Sequence, residues 1–116
     1  MTDAGLKELG HLKQLRALDL GGSDVTGAGL KELTALKQLK ELDLSATKLT
    51  DAGLKELAGL RELRELSLQD TAVTDVGLMD LAGFGKLQKL NLFDTKVTDM
   101  GVKALQKALP RLRISR

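Results

Sequence analysis

Residues 50–68 read Thr50-Asp51-Ala52-Gly53-Leu54-Lys55-Glu56-Leu57-Ala58-Gly59-Leu60-Arg61-Glu62-Leu63-Arg64-Glu65-Leu66-Ser67-Leu68. The leucines at 54, 57, 60, 63 and 66 stand three apart, and the last pair, 66 and 68, stands two apart. Three residues of α-helix turn about 300°, so each leucine lags the one before by about 60°. Over four steps the stripe rotates by about 240° and leaves any single face. One straight helix cannot bury all of these leucines. The stretch must break into a short helix followed by something extended, and its closing pair carries the period-2 alternation of a strand. Gly59, and Gly83 in the next copy, lie between the two halves, where a helix can end.

The same words return along the whole chain. Glycine recurs at Gly5, Gly29, Gly53, Gly77 and Gly101, in steps of 24 residues. Around it stand Thr2-Asp3-Ala4-Gly5-Leu6, Thr50-Asp51-Ala52-Gly53-Leu54, Thr74-Asp75-Val76-Gly77-Leu78 and Thr98-Asp99-Met100-Gly101-Val102. The second copy departs once, with Gly27 where the others carry Asp. Thr26, Thr50, Thr74 and Thr98 are expected to cap the helices, with Asp51, Asp75 and Asp99 complementing the helix dipole. A glycine in a helix costs about 1 kcal/mol against Ala. Its return in every copy predicts that the backbone of the neighbouring coil comes too close for a Cβ.

Each unit is one strand, a turn, one short helix and a return. Such a unit has a single apolar side and cannot fold alone. Stacked copies bury a continuous core and pair their strands in parallel. Leu39, with Leu42-Asp43-Leu44-Ser45-Ala46-Thr47-Lys48-Leu49, resembles the leucine-rich repeat word Leu-x-x-Leu-x-Leu-x-x-Asn/Cys-x-Leu. Leu15-Arg16-Ala17-Leu18-Asp19-Leu20, Leu63-Arg64-Glu65-Leu66-Ser67-Leu68 and Leu87-Gln88-Lys89-Leu90-Asn91-Leu92 repeat it. The Thr-Asp-x-Gly-Leu word looks like the helical half of bacterial repeats of this length, which resemble the ribonuclease-inhibitor-like, cysteine-containing class. The resemblance implies an α/β leucine-rich-repeat solenoid, a horseshoe fragment with a parallel sheet on the concave face and short helices on the convex face. Residues 1–116 are read as one such domain, with about four full repeats and partial terminal units. The resemblance also implies a protein–protein interaction module. One departure stands out. The Asn/Cys position holds Ser23, Thr47, Thr71 and Thr95, and a hydroxyl offers one donor where an amide offers two. The ladder tying adjacent turns is therefore expected to be thinner and the array less rigid.

Composition narrows the function. Leucine supplies 27 of the 116 residues, and there are no Cys, Trp or Tyr, two Phe and one His. Thiol catalysis, disulfides, Cys-ligated zinc and His–His metal pairs are thereby removed. So few aromatics argue against a stacking platform for single-stranded nucleic acid. No apolar run approaches the ~18 residues of a membrane span, and the N-terminal residues do not form a secretory signal, so a cytoplasmic location is expected. Net charge is +2, with the positive excess in residues 71–116 and a slight negative excess before them. Lys55, Lys103 and Lys107 fall on helix exteriors among acids, so no nucleic-acid partner is expected. No catalysis and no cofactor are expected either. His11 is alone at a helix end. Asp19 and Asp43 stack on an open sheet, without a pocket for acid–base work or loop ligands for calcium. No glycine loop cradles phosphate.

The residues between the strand leucines point out to the concave face. They are Ala17, Asp19 and Gly21, then Glu41, Asp43 and Ser45, then Glu65, Ser67 and Gln69, then Lys89, Asn91 and Phe93. Asp19, Glu41, Asp43, Glu65, Ser67, Gln69, Lys89, Asn91 and Phe93 form the candidate partner-binding surface. It reads as an acidic dock for a basic protein, with Phe93 as an apolar anchor. The competing reading is an ordinary solvated sheet face. Arg16, Lys40 and Arg64, just before the strands, are expected to fold over the carboxylates. Phe84 stands where Leu36 and Leu60 stand and is expected in the core.

Two expectations concern the ends. Leu109-x-x-Leu112-x-Ile114 keeps the strand word but shortens the repeat. Placing Leu112 at the first strand leucine keeps the length but displaces Ile114, and the first register is preferred. Arg111, Arg113 and Arg116 are expected to solvate this end. The first strand, preceded only by a partial coil, is expected to expose an edge through which the chain self-associates. Self-association is the alternative to partner docking.

Overall fold

A computed structural model describes residues 1–116. Five three-residue strands, β1 (Ala17–Asp19), β2 (Glu41–Asp43), β3 (Glu65–Ser67), β4 (Lys89–Asn91) and β5 (Arg113–Ser115), form one parallel sheet in chain order. Every pairing keeps the 24-residue step: Leu18 lies opposite Leu42, Leu42 opposite Leu66, Leu66 opposite Leu90 and Leu90 opposite Ile114. The helices are α1 (Asp3–Leu9), α2 (Gly27–Leu30), α3 (Asp51–Leu54), α4 (Asp75–Leu78) and α5 (Asp99–Ala108).

The spacing of three is resolved by 3₁₀ winding. Lys31–Ala35, Lys55–Leu57 and Met79–Gly83 continue α2, α3 and α4 as 3₁₀ turns. At about three residues per turn, residues three apart share a face. Leu30, Leu33 and Leu36 are accordingly fully buried, as are Leu54, Leu57 and Leu60. Phe84 joins the same core, and 26 apolar residues form one continuous cluster.

The C-terminal coil differs, and the preferred register is overturned. Ile114 pairs with Leu90, and does not take the place of Leu92. Where earlier copies have Gly59 and Gly83, this one has Lys107, so α5 runs unbroken for ten residues to Ala108. Leu112 bonds back to the Leu109 carbonyl as Leu87 does to Phe84, and it is buried. The Gln106 amide holds the bend by donating to the Leu109 and Leu112 carbonyls at 3.0 and 2.8 Å. Arg116 turns back onto the Asp99 carboxylate and the Val97 carbonyl rather than only solvating the end.

The aspartates act between coils. Asp51 accepts from the Thr74 amide (2.8 Å) and hydroxyl (2.5 Å) in the next coil. Asp3 holds Thr26 at 2.7 and 2.6 Å, and Asp75 holds Thr98 at 2.7 and 2.5 Å. The capping expectation is thus met in part. The hydroxyls of Thr26, Thr74 and Thr98 accept from their own helices, whereas Thr50 makes no cap bond. Thr50 is also the threonine facing Gly27, where no carboxylate is present to clamp it.

The clamp accounts for the repeated glycine. A Cβ on Gly77 would overlap the Asp51 carboxylate, and one on Gly101 would overlap that of Asp75. The obstruction is chiefly a side chain of the preceding coil. Only at the Gly27 seam is it mainly backbone, where a Cβ on Gly27 would stand 2.6 Å from the Gly53 Cα. The hydroxyls at the Asn/Cys position serve their own coil. Ser23, Thr47, Thr71 and Thr95 donate to the carbonyls of Leu20, Leu44, Leu68 and Leu92 at 2.6–2.7 Å. The Asp–Thr clamps, rather than these hydroxyls, tie the helical sides of adjacent coils.

Candidate functional site

The outward residues form three rows across the sheet, of which the first two line an open trough of about 660 Å³. The first row runs Ala17, Glu41, Glu65, Lys89, Arg113, each directly opposite the next. The second runs Asp19, Asp43, Ser67, Asn91, Ser115. The third, just past the strands, holds Gly21, Ser45, Gln69 and Phe93. Seven of the nine residues expected on this face line the trough, and Gln69 and Phe93 stand outside its lining.

The first row has the strongest electrostatics. Glu41 and Glu65 stand directly opposite each other. Hydrogen bonding with Glu65, and then the Glu65 charge, hold the Glu41 carboxyl above the usual range. Glu65 is held below that range, first by hydrogen bonding with Glu41 and then by Lys89. Lys89 Nζ stands 3.4 Å from Glu65 Oε1. Arg16, Lys40 and Arg64 make no salt bridge to the strand carboxylates, contrary to expectation. Lys40 and Arg64 instead act on Glu62, whose carboxyl is lowered first by its hydrogen bond from Lys86.

Several second-row side chains hold the turn that follows their strand. Asp19 accepts from the Gly21 amide (2.8 Å), Asp43 from Ser45 (2.8 Å) and Asn91 from Phe93 (2.9 Å). The Ser45 and Ser67 hydroxyls lie 2.7 Å apart, and Asn91 Nδ2 donates to Gln69 Oε1 at 3.1 Å. Asp19 and Asp43 are therefore partly committed to structure. Phe93 is 56% exposed, beyond what packing requires. The next residue in each copy, Gly22, Ala46, Asp70 or Asp94, turns the chain with φ between 54° and 73°.

Sequence reasoning missed Arg113. With Ile114 opposite Leu90, Arg113 faces Lys89 in the first row. The signal was the 24-residue step itself, which carries Lys89 to position 113. Acidity is thus confined to β1–β3, and β4 and β5 carry cations. No three His, Asp or Glu side chains stand where they could hold a metal ion.

A leucine rich repeat family model matches residues 13–73, more than half the chain, and a second of that description matches residues 86–105. The chain belongs to the leucine-rich repeat family. No curated protein matches its sequence. Among solved structures, a leucine-rich repeat protein of Leptospira interrogans is 27% identical with a TM-score of 0.73, over 95% of this chain and 27% of that one. Internalin C2 of Listeria monocytogenes is 29% identical with a TM-score of 0.74, over 93% of this chain and 44% of that one. This chain therefore spans less than half the length of either bacterial structure. A plant peptide hormone receptor, RGFR1, in complex with RGF2, shares the fold alone, at 16% identity and a TM-score of 0.59 over 93% of this chain and 21% of that one. Leucine-rich repeat domains are in general protein-interaction modules and typically non-catalytic.

Proposed function

We propose that this leucine-rich repeat chain is a non-catalytic docking module that takes a protein partner on the concave face of its sheet. The observation that carries the reading is the trough itself, with exposed Glu41 and Lys89 in one row on a backbone fixed by parallel pairing and exposed Phe93 just past β4. A rigid sheet presents these groups at little entropic cost, so affinity comes from a few anchors and on-rate from charge. The basic side chains of the partner meet Asp19, Glu41 and Asp43, and an apolar one packs on Phe93. A photo-crosslinker on a cysteine at position 93 tests this, with position 55 on the helical side as control. Recovery of one partner from position 93 and none from 55 supports the reading. Equal recovery from both removes it.

A second reading, self-association through β1, is favoured by its edge. β1 pairs on one side only, Leu12 is 50% exposed, and Leu15 and Leu18 are only partly buried. Light scattering at high concentration tests it, and a strictly monomeric profile removes it.

A further inference from the structure

The signs of charge on the concave face are sorted. Along the first row the residues are neutral Ala17, acidic Glu41 and Glu65, then basic Lys89 and Arg113. Three like-charged pairs lie directly opposite one another: Asp19 with Asp43, Glu41 with Glu65, and Lys89 with Arg113. Like charges directly opposite destabilise a sheet. A face shaped only by solubility would alternate its signs and gain cross-strand pairs. Here a single junction, Lys89 with Glu65, joins opposite charges. Asp19, Glu41, Asp43 and Arg113 take part in no salt bridge. Phe93 stands beside the basic end, two positions past β4 and outside the trough lining.

We propose that the occupant of the trough is an extended segment of a partner protein lying across the strands, with basic side chains at one end and, about four residues away, an acidic side chain beside an apolar one. The basic end covers Asp19, Glu41 and Asp43. The acidic side chain meets Lys89 and Arg113, and the apolar one packs on Phe93. The spacing follows from the sheet. Strands lie about 4.8 Å apart, so Glu41 on β2 and Arg113 on β5 are separated by about 14 Å, which an extended chain of about 3.3 Å per residue covers in about four residues. Such a segment relieves all three like-charge contacts at once. This inference rests on the concave face being the docking surface.

The test uses the full chain and two synthetic peptides of identical composition, followed by amide NMR shifts at low ionic strength. One peptide carries two Lys, a four-residue neutral spacer containing Leu, and two Glu; the other alternates Lys and Glu around the same spacer. The sorted peptide should shift the amides of β2 to β5 and bind about tenfold tighter, which is about 1.4 kcal/mol spread over four exposed ion pairs. Replacing Lys89 and Arg113 together by Glu, both at exposed positions, should remove that preference. Equal binding of the two peptides on the strands overturns the sorting and leaves the docking surface standing. Shifts confined to the helical side overturn the docking surface itself. Binding by neither peptide overturns the proposal.

Discussion

Gly77→Ala puts one methyl group where the coils are clamped. Gly77 is buried, and its added Cβ would overlap the Asp51 carboxylate and stand 3.2 Å from the Asp51 Cα. Asp51 must then move off the Thr74 amide and hydroxyl. Hydrogen bonds to a charged group contribute about 1.5–3 kcal/mol each, with the lower figure appropriate to a half-exposed carboxylate. Overpacking adds about 1–3 kcal/mol. The better helix propensity of Ala returns about 1 kcal/mol. The net cost is about 3–5 kcal/mol, a fall in the urea midpoint of roughly 2–3 M for a chain of this size. Gly83→Ala is the control, because nothing lies within 4 Å of its Cβ. It should be neutral or stabilising by up to about 1 kcal/mol. In an Asp51→Ala background, Gly77→Ala should cost at least about 1 kcal/mol less than in the parent, a non-additivity diagnostic of direct contact. The reasoning is refuted if Gly77→Ala is as stable as Gly83→Ala, or if the double mutant is simply additive.

Two further outcomes are expected. Hydrogen bonds from Thr26 to Asp3, from Thr98 to Asp75 and from Arg116 to Asp99 hold these carboxyls below the ordinary carboxylate range. A depressed folded value means stability present above the unfolded value, about pH 4, and lost as pH falls through the folded one. Urea midpoints should therefore drop on acidification below about pH 4, and Asp75→Asn should shallow that drop; an unchanged slope would contradict the clamp. Ala46 turns with φ 54° where the aligned residue Gly22 has φ 73°, so Ala46→Gly should stabilise by about 0.5–1 kcal/mol, read as a raised thermal midpoint. Asp70→Gly should gain less, because Asp tolerates this conformation better than Ala.

The parts legible in the sequence were those set by one residue's place in its own coil. Alternation about Leu66 and Leu68 put Glu65 and Ser67 outward, and the 24-residue step put Phe84 in the core. The parts that were not legible depend on pairs 23 or 24 residues apart. Asp51 has the sequence context of a helix-dipole partner; that its carboxylate reaches Thr74 is a matter of how closely two coils stack. The lysines and arginines before the strands had plausible carboxylates nearby in sequence, whereas stacking brought the Glu62 carboxylate to Lys86, 24 residues on. Leucines every three residues excluded a straight α-helix, yet the 3₁₀ turns that satisfy the spacing emerged only with the backbone. The place of Arg113 was legible in the 24-residue step from Lys89, and the word Leu109-x-x-Leu112-x-Ile114, two residues out of that step, obscured it.

The central claim is that alternate side chains of each strand face an open trough while their neighbours fill the core. The chain has no cysteine, so single cysteines can be placed at 89, 90, 91, 92 and 93 in turn and their thiol-labelling rates measured under native conditions. Positions 89, 91 and 93 should label at nearly the rate of an unfolded chain, with 90 and 92 slowed by orders of magnitude until denaturant is added. Uniform rates along the five positions, or protection at 93, would contradict the account.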